Sequence, residues 1–302
     1  MSSKQYTFTV FTPAYNRAHT LERVYRSLDS QSFRDFEWLI VDDGSTDKTG
    51  ELIGKWKGRA SFPIHYIRKE NGGKHTASNL GVVRAKGKFF LTLDSDDEAV
   101  PEALERFYYL WNTIPEDLRS SFSAVSALCK HPDGSIEGSK FPQSPFDSNS
   151  IESHTRYKIT GEKWGFQLTD IMRSFPFPEF PGEYFIPEGV VWNRIALKYK
   201  TRYVNDALRI YHQEDDSLSS SSVGIRIKSP LGSSLYYNEL SEVSVPVLYR
   251  IKAVINYLRF SFHGKKPVIN ILSEAKQSAA ALLFLPVGYL FYCRDMRSLH
   301  AS

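Results

Sequence analysis

Between Thr7 and Asp97 the chain passes four times from a short apolar run into a polar turn, and an amphipathic stretch follows each turn. That rhythm constrains the fold more than any other feature. Thr7–Thr12, Phe36–Val41, Ile64–Arg68 and Lys88–Leu93 are rich in β-branched and aromatic residues, as strands are. Between them Leu21, Val24 and Leu28 fall on one helical face, Leu52, Ile53 and Trp56 mark a second helix, and Ala77, Leu80 and Val83 a third. Pro101 suits the first turn of a fourth, with Leu104, Phe107, Tyr108 and Trp111 on its apolar side. Strands and helices in this order predict an α/β fold with a doubly wound, mostly parallel sheet. Ligands of such sheets sit beyond the carboxyl ends of the strands.

Three strand ends carry polar clusters, so the fold predicts that they meet. Asp94-Ser95-Asp96-Asp97 sets three carboxylates in four residues, and their repulsion calls for a countercharge. A divalent cation with oxygen ligands, magnesium or manganese, would supply one; a solvated turn capping the next helix serves as well. Asp42-Asp43-Gly44-Ser45-Thr46-Asp47 offers a carboxylate to a nucleobase N–H, and also the residues a helix start needs. Thr12-Pro13-Ala14-Tyr15-Asn16-Arg17 presents an aromatic ring that a base can stack on. Asn71-Gly72-Gly73-Lys74 leads into a helix whose free N–H groups and lysine favour a diphosphate, although it lacks Walker A spacing.

In that order, TPAYNR, VDDGSTD, ENGGKHTASNLG with AKGKFF, and LTLDSDD resemble the inverting family 2 glycosyltransferases of the GT-A fold over the first 105 residues. The resemblance implies a sheet of GT-A type with a helical C-terminal appendage. It also implies a metal-dependent transfer of a sugar from a nucleotide-diphosphate sugar, UDP-sugars being common donors, to an acceptor hydroxyl. Thr12, Pro13 and Tyr15 would contact the nucleoside. Asp42 or Asp43, the latter favoured, would bind the base, with Asn71 and Lys74 near base and diphosphate. Asp94, with Ser95 beside it, would hold the ribose or reach the metal through water. Asp96 would be the main ligand of manganese or magnesium, with Asp97 beside it and His212 near the diphosphate. Glu188 in Pro187-Glu188-Gly189-Val190-Val191-Trp192-Asn193-Arg194 stands four residues ahead of an aromatic and six ahead of an arginine, which is the family's spacing for the general base; Glu183 is its rival. The acceptor is expected to be a saccharide or lipid-linked saccharide of cell-envelope or exported polysaccharide. A nucleotidyltransferase would show a glycine-rich basic loop after the first strand, and PAYNRAH is not one. An inactive nucleotide-sugar-binding module would keep the same motifs without turnover.

The remainder is read more coarsely. Residues 1–239 form the expected catalytic domain, 1–115 holding the donor and 116–239 the acceptor. Residues 141–154, rich in Ser, Pro and Asn, suggest a mobile loop, Gly161–Arg173 and Glu188–Lys198 helices, Phe122–Leu128, Arg202–Val204 and Leu208–Tyr211 strands, and Ser217–Ser222 a serine-rich loop. Residues 240–302 are a basic amphipathic tail with eight Lys/Arg against three Asp/Glu. Basic charge on an apolar tail points to an anionic membrane surface and away from nucleic acid; packing on the domain or a homo-oligomer contact is the other use of such helices. In the tail, Val247, Leu248, Ile251, Val254, Ile255 and Leu258 define one side of a helix over 246–262, with Arg250, Lys252 and Arg259 at its margins or opposite. Ala279–Cys293 is apolar but holds Pro286, and its 15 residues fall short of the about 20 a bilayer span needs. Two widely separated cysteines and an N-terminus without a secretory layout suit a reducing cytoplasm, with the protein peripheral on the inner membrane face.

Overall fold

The computed structural model describes residues 5–213 and 222–301; residues 217–221 of the expected serine-rich loop lie outside them. The chain divides into two compact units. Residues 1–176 with 194–214 form the first, and residues 177–193 with 215–302 the second. Residues 177–193 and 215–239 go with the C-terminal helices in this division.

The first unit opens with β1 (Tyr6–Ala14), α1 (Leu21–Asp29), β2 (Phe36–Asp42), α2 (Thr49–Lys57), β3 (Ile64–Arg68), α3 (Lys74–Arg84) and β4 (Gly87–Thr92). It continues through β5 (Glu98–Ala99), α4 (Ala103–Asn112), a 3-10 turn at Glu116–Ser121, β6 (Phe122–Lys130), β7 (Phe146–Ser148), α5 (Ser150–Thr155), β8 (Lys163–Leu168) and α6 (Thr169–Ser174). After α7 (Gly189–Ala196), which straddles the division, comes β9 (Lys200–Ile210). The strands form one sheet in the order β3-β2-β1-β4-β8-β6-β9-β5, with β7 added beside β9. β3, β2, β1 and β4 run parallel, while β8 lies antiparallel to both β4 and β6.

The strands of the parallel half are apolar because helices cover both sheet faces. All seven residues of β2 are buried, and so are Phe8, Val10 and Phe11 of β1. Leu21, Val24 and Leu28 of α1, Ile53 and Trp56 of α2, and Leu104, Phe107 and Trp111 of α4 complete the core. Register then fixes the site. Ala14 pairs with Asp42 across β1 and β2, and Phe11 with Thr92 across β1 and β4, so the polar clusters after these three neighbouring strands leave the sheet side by side.

Several expectations for the later residues give way. The helix expected over Gly161–Arg173 is β8 followed by the one-and-a-half turns of α6; Trp164 and Phe166 alternate into the core with period two, as a strand requires. The strands expected at Arg202–Val204 and Leu208–Tyr211 are one strand, β9, whose pairing with β6 contains register shifts. Residues 141–154 are built rather than loose: they hold β7 and α5, Phe146 and Ile151 are buried, and Asp147 accepts a two-pronged bond from Arg202 at 2.9 and 2.7 Å.

The second unit consists of α8 (Ser222–Lys228), α9 (Pro230–Glu242), α10 (Val247–His263), α11 (Val268–Glu274), α12 (Ser278–Ala301) and the segment 177–193. Its small core joins Val254, Tyr257 and Leu258 of α10 to Ile271 and Ala281. Arg259, expected at the margin of the apolar side of α10 or opposite it, is buried and pairs with Asp295 of α12. The length argument against a membrane span also fails: α12 continues through Pro286, and Ser278–Ser298 is long and apolar enough to cross a bilayer.

Candidate active site

The first loop is held by the second. Asn16, in a left-handed conformation (φ 53°), accepts hydrogen bonds from the Thr46 and Asp47 N–H groups at 2.8 and 3.3 Å and donates its own N–H to Ser45 Oγ. Asp47 in turn accepts from the Ala18 and Thr49 N–H groups, the latter in the first turn of α2. The side chains expected at the nucleoside separate into two kinds. Thr12 and Pro13 are buried within β1, and the Thr12 hydroxyl is committed to the core, donating to the Leu93 carbonyl and accepting from Trp38 Nε1. Tyr15, just past the strand, is 48% exposed and its ring is available for stacking.

Asp42 and Asp43 are both buried and both engaged. Asp42 accepts from the Ser45 N–H at 2.7 Å and from the Tyr66 hydroxyl at 2.5 Å. Asp43 accepts from Lys69 Nζ, from the Gly72 N–H and from the Gly73 N–H, at 2.7, 3.0 and 2.7 Å. It thereby anchors the Asn71-Gly72-Gly73 loop. Gly73 sits at φ 89°, which an L side chain rarely adopts, and from there the chain enters α3. Asn71 stays exposed on that loop.

The acidic cluster follows β4. Lys74, the first residue of α3, lies 2.9 Å from Asp94 Oδ1. Beneath the cluster stands Arg209 of β9, buried, with its guanidinium 3.3 Å from Asp97, 3.7 Å from Asp94 and 3.4 Å from Glu162. Asp97 also accepts the His212 main-chain N–H at 2.9 Å, and the His212 ring bonds Glu98 at 2.7 Å. Much of the countercharge that three neighbouring carboxylates demand is thus built from protein. Burial works against the charge of Asp94, but Lys74 and Arg209 outweigh it and hold its carboxyl below the usual range. Burial pushes Asp97 up to about 7 despite Arg209. Burial and the neighbouring Asp94 charge raise Asp96 as well.

Asp96 is half-buried, and among the described residues its side chain makes no ion pair; its carbonyl accepts from Arg23 at 2.8 Å. A raised, unpaired carboxylate beside a cationic wall fits a divalent ion held mainly by one protein ligand, with diphosphate oxygens and water completing its shell. Among the described residues no group of three or more His, Cys, Asp or Glu side chains is arranged to hold a metal alone. The His212 ring would have to leave Glu98 to reach such an ion through Nε2.

Sequence reasoning missed Arg209, Asn16 and Asp47. The signal for Arg209 was present: an arginine inside the apolar run Ala207–Tyr211, in a chain whose acidic cluster needed a partner.

Residues 9–125 match the family model for glycosyl transferase family 2. That segment is a family 2 glycosyltransferase domain. Over 97 residues the chain is 41% identical to the chondroitin synthase of Pasteurella multocida, a match covering 32% of this chain but about a tenth of that protein. A longer match, 25% identical over 227 residues, covers 72% of this chain and 70% of the GalNAc(5)-diNAcBac-PP-undecaprenol beta-1,3-glucosyltransferase of Campylobacter jejuni. Among solved structures, TarS 1-349 from S. aureus in complex with UDP-GlcNAc is similar over 93% of this chain and 80% of that one, with a TM-score of 0.59 at 19% identity. The mannosyltransferase PcManGT from Pyrobaculum calidifontis, in complex with GDP-Man and Mn2+, is similar over 98% of this chain and 84% of that one, with a TM-score of 0.55 at 16% identity. These likenesses establish the fold, a GT-A sheet with a helical appendage.

Glu188 and Glu183 belong to the second unit. Glu183 is buried and accepts the Leu231 and Gly232 N–H groups in the first turn of α9, at 2.5 and 2.7 Å, so it serves as a helix cap. Glu188 is exposed immediately before α7, with Trp192 Nε1 3.3 Å from its carboxylate.

Proposed function

We propose that the protein is an inverting glycosyltransferase that moves a sugar from a UDP-sugar to an acceptor hydroxyl in the synthesis of cell-envelope or exported polysaccharide. The observation that carries this reading is the meeting of three polar loops at the carboxyl ends of neighbouring parallel strands, with the Lys74–Asp94 ion pair among them. Tyr15 stacks on the base, and Asp42 or Asp43 with the Asn71 loop reads its edge. Asp94 binds the ribose while Lys74 lies at the diphosphate. Asp96, with Asp97 beside it, would hold a manganese or magnesium ion, which neutralises charge on the departing diphosphate. His212 would support the same region. Glu188 takes the proton of the acceptor hydroxyl as that oxygen attacks the anomeric carbon in line with the departing diphosphate. The helix-capping bonds of Glu183 favour Glu188 over it. The UDP-GlcNAc complex of TarS supports the donor class, the Mn2+ complex of PcManGT supports the ion, and the undecaprenol-linked name of the Campylobacter relative supports a saccharide or lipid-linked saccharide acceptor. The basic C-terminal helices suit a cytoplasmic enzyme peripheral to the inner membrane face.

The test is a thermal-shift screen of UDP-, GDP- and dTDP-sugars with manganese, followed by turnover of the donor that stabilises the protein. Release of nucleoside diphosphate on adding acceptor, with inverted anomeric configuration in the product, is the expected result. Stabilisation without turnover against any saccharide acceptor would instead favour an inactive binding module.

A further inference from the structure

Helix α12 has two unlike sides. Ala281, Gly288 and Asp295, seven residues apart, form its inner seam and are buried. Gly288 lies so close to α10 that a Cβ there would stand 2.4 Å from Leu258 Cβ. Asp295 is clasped by Arg259 at 2.5 and 2.6 Å and by His263 at 3.1 Å. The outer side carries Leu282, Leu283, Pro286, Tyr289 and Leu290, all exposed, with Leu283 at 71% and Leu290 at 66%. At helical spacing the same stripe runs on into Arg294 and Arg297, also exposed.

The charge of residues 240–302 explains what this stripe suits. Their three carboxylates are taken up internally: Asp295 by Arg259, Glu274 by Lys266 at 2.6 Å, and Glu242 by Lys276 at 3.4 Å. Arg250, Lys252, Lys265, Arg294 and Arg297 remain exposed. An apolar stripe ending in cations, on a surface whose acids are already paired, is complementary to an anionic lipid surface.

We propose that the outer face of α12 docks on an anionic bilayer, the leucines and Tyr289 entering the headgroup boundary while Arg294 and Arg297 meet lipid phosphates. The helix lies in the plane of the membrane. Crossing would strip it from α10 along the whole inner seam and take the buried Asp295 away from Arg259 and His263. The proposal rests on side chains of the second unit and not on the donor reading.

The experiment is flotation of the full chain with vesicles of phosphatidylcholine alone and of phosphatidylcholine mixed with phosphatidylglycerol, without nucleotide. Binding is expected to the mixed vesicles, to weaken at high salt, and to be released by alkaline carbonate. Leu283→Glu and Leu290→Glu should each lower partitioning about tenfold, and Arg294→Gln and Arg297→Gln about fivefold each. These positions are exposed, so circular dichroism and thermal unfolding should match the unaltered chain. Equal partitioning of the leucine variants, equal binding to neutral vesicles, or retention after carbonate would each overturn the proposal. A concentration-dependent dimer in lipid-free sedimentation that Leu283→Glu abolishes would overturn it too, and give the stripe to a second copy of the chain.

Discussion

Replacing Arg209 by methionine keeps an unbranched side chain in place but removes the buried cation under the acidic cluster. At an effective dielectric constant near 20, contacts of 3.3 and 3.7 Å to Asp97 and Asp94 are each worth about 4–5 kcal/mol before desolvation is counted. The third contact, to half-exposed Glu162, adds little after solvent screening. Burying the guanidinium offsets most of the gross attraction, so the net effect comes from what is left behind: Asp97, buried, without its partner. Breaking such a pair from one side costs about 3–5 kcal/mol. Lys74 still covers Asp94, which places Arg209→Met at the lower end of that range. Urea unfolding of Arg209→Met, Asp97→Asn and the double variant measures this directly. The double variant should recover about 1–3 kcal/mol relative to the sum of the single losses, because it no longer buries an uncompensated charge. A loss under about 1 kcal/mol in Arg209→Met, or strictly additive effects, would refute the view that Arg209 is the protein's own countercharge for the cluster.

Other outcomes follow from the same contacts. Glu188→Gln should bind donor normally and lower turnover by about 10²–10⁴, whereas Glu183→Gln should mainly cost stability, about 1–2 kcal/mol, through the lost cap of α9; the reverse pattern in steady-state kinetics and urea unfolding would exchange their roles. Asp43→Ala should free the Asn71-Gly72-Gly73 loop, seen as faster amide hydrogen exchange at Gly72 and Gly73, and weaken donor binding. Burial opposes the charge of Asp295, but bonds from Arg259 and His263 outweigh it and hold its carboxyl below the usual range. A depressed carboxylate contributes stability above its unfolded value, 3.8, and withdraws it as pH falls through the folded value. Urea unfolding of the second unit should therefore weaken below about pH 4, and Asp295→Asn should remove that component of the pH dependence.

The donor half was legible because parallel strands covered on both faces read as unbroken apolar runs, and their ends are marked where Asp42 and Asp94 interrupt them. The rest depended on partners far away in sequence. β8 pairs with β4 and β6, so nothing local distinguishes Lys163–Leu168 from the start of a helix except the alternation of Trp164 and Phe166. The bonds that Asp43 accepts from Lys69 and from the Gly72 and Gly73 N–H groups, which anchor the neighbouring loop, likewise come from beyond its own motif. The three carboxylates after β4 do need positive charge, but part of it comes from Arg209, some 110 residues later in the chain. In the tail, Arg259 sits at a polar-looking position of α10 and is buried because Asp295 of α12 meets it. Pro286 removes one helix donor, yet α12 continues through it, packed on α10 on both sides of the proline at Ala281 and Gly288.

Titration calorimetry of UDP-sugars into the unaltered chain and Asp96→Ala, each with and without manganese, tests the donor site most directly. The account predicts binding that manganese strengthens in the unaltered chain, an affinity at least about tenfold lower in Asp96→Ala, and no manganese effect in that variant, while its unfolding transition stays in place. Equal affinities and an unchanged manganese effect in Asp96→Ala, across UDP-, GDP- and dTDP-sugars alike, would contradict it.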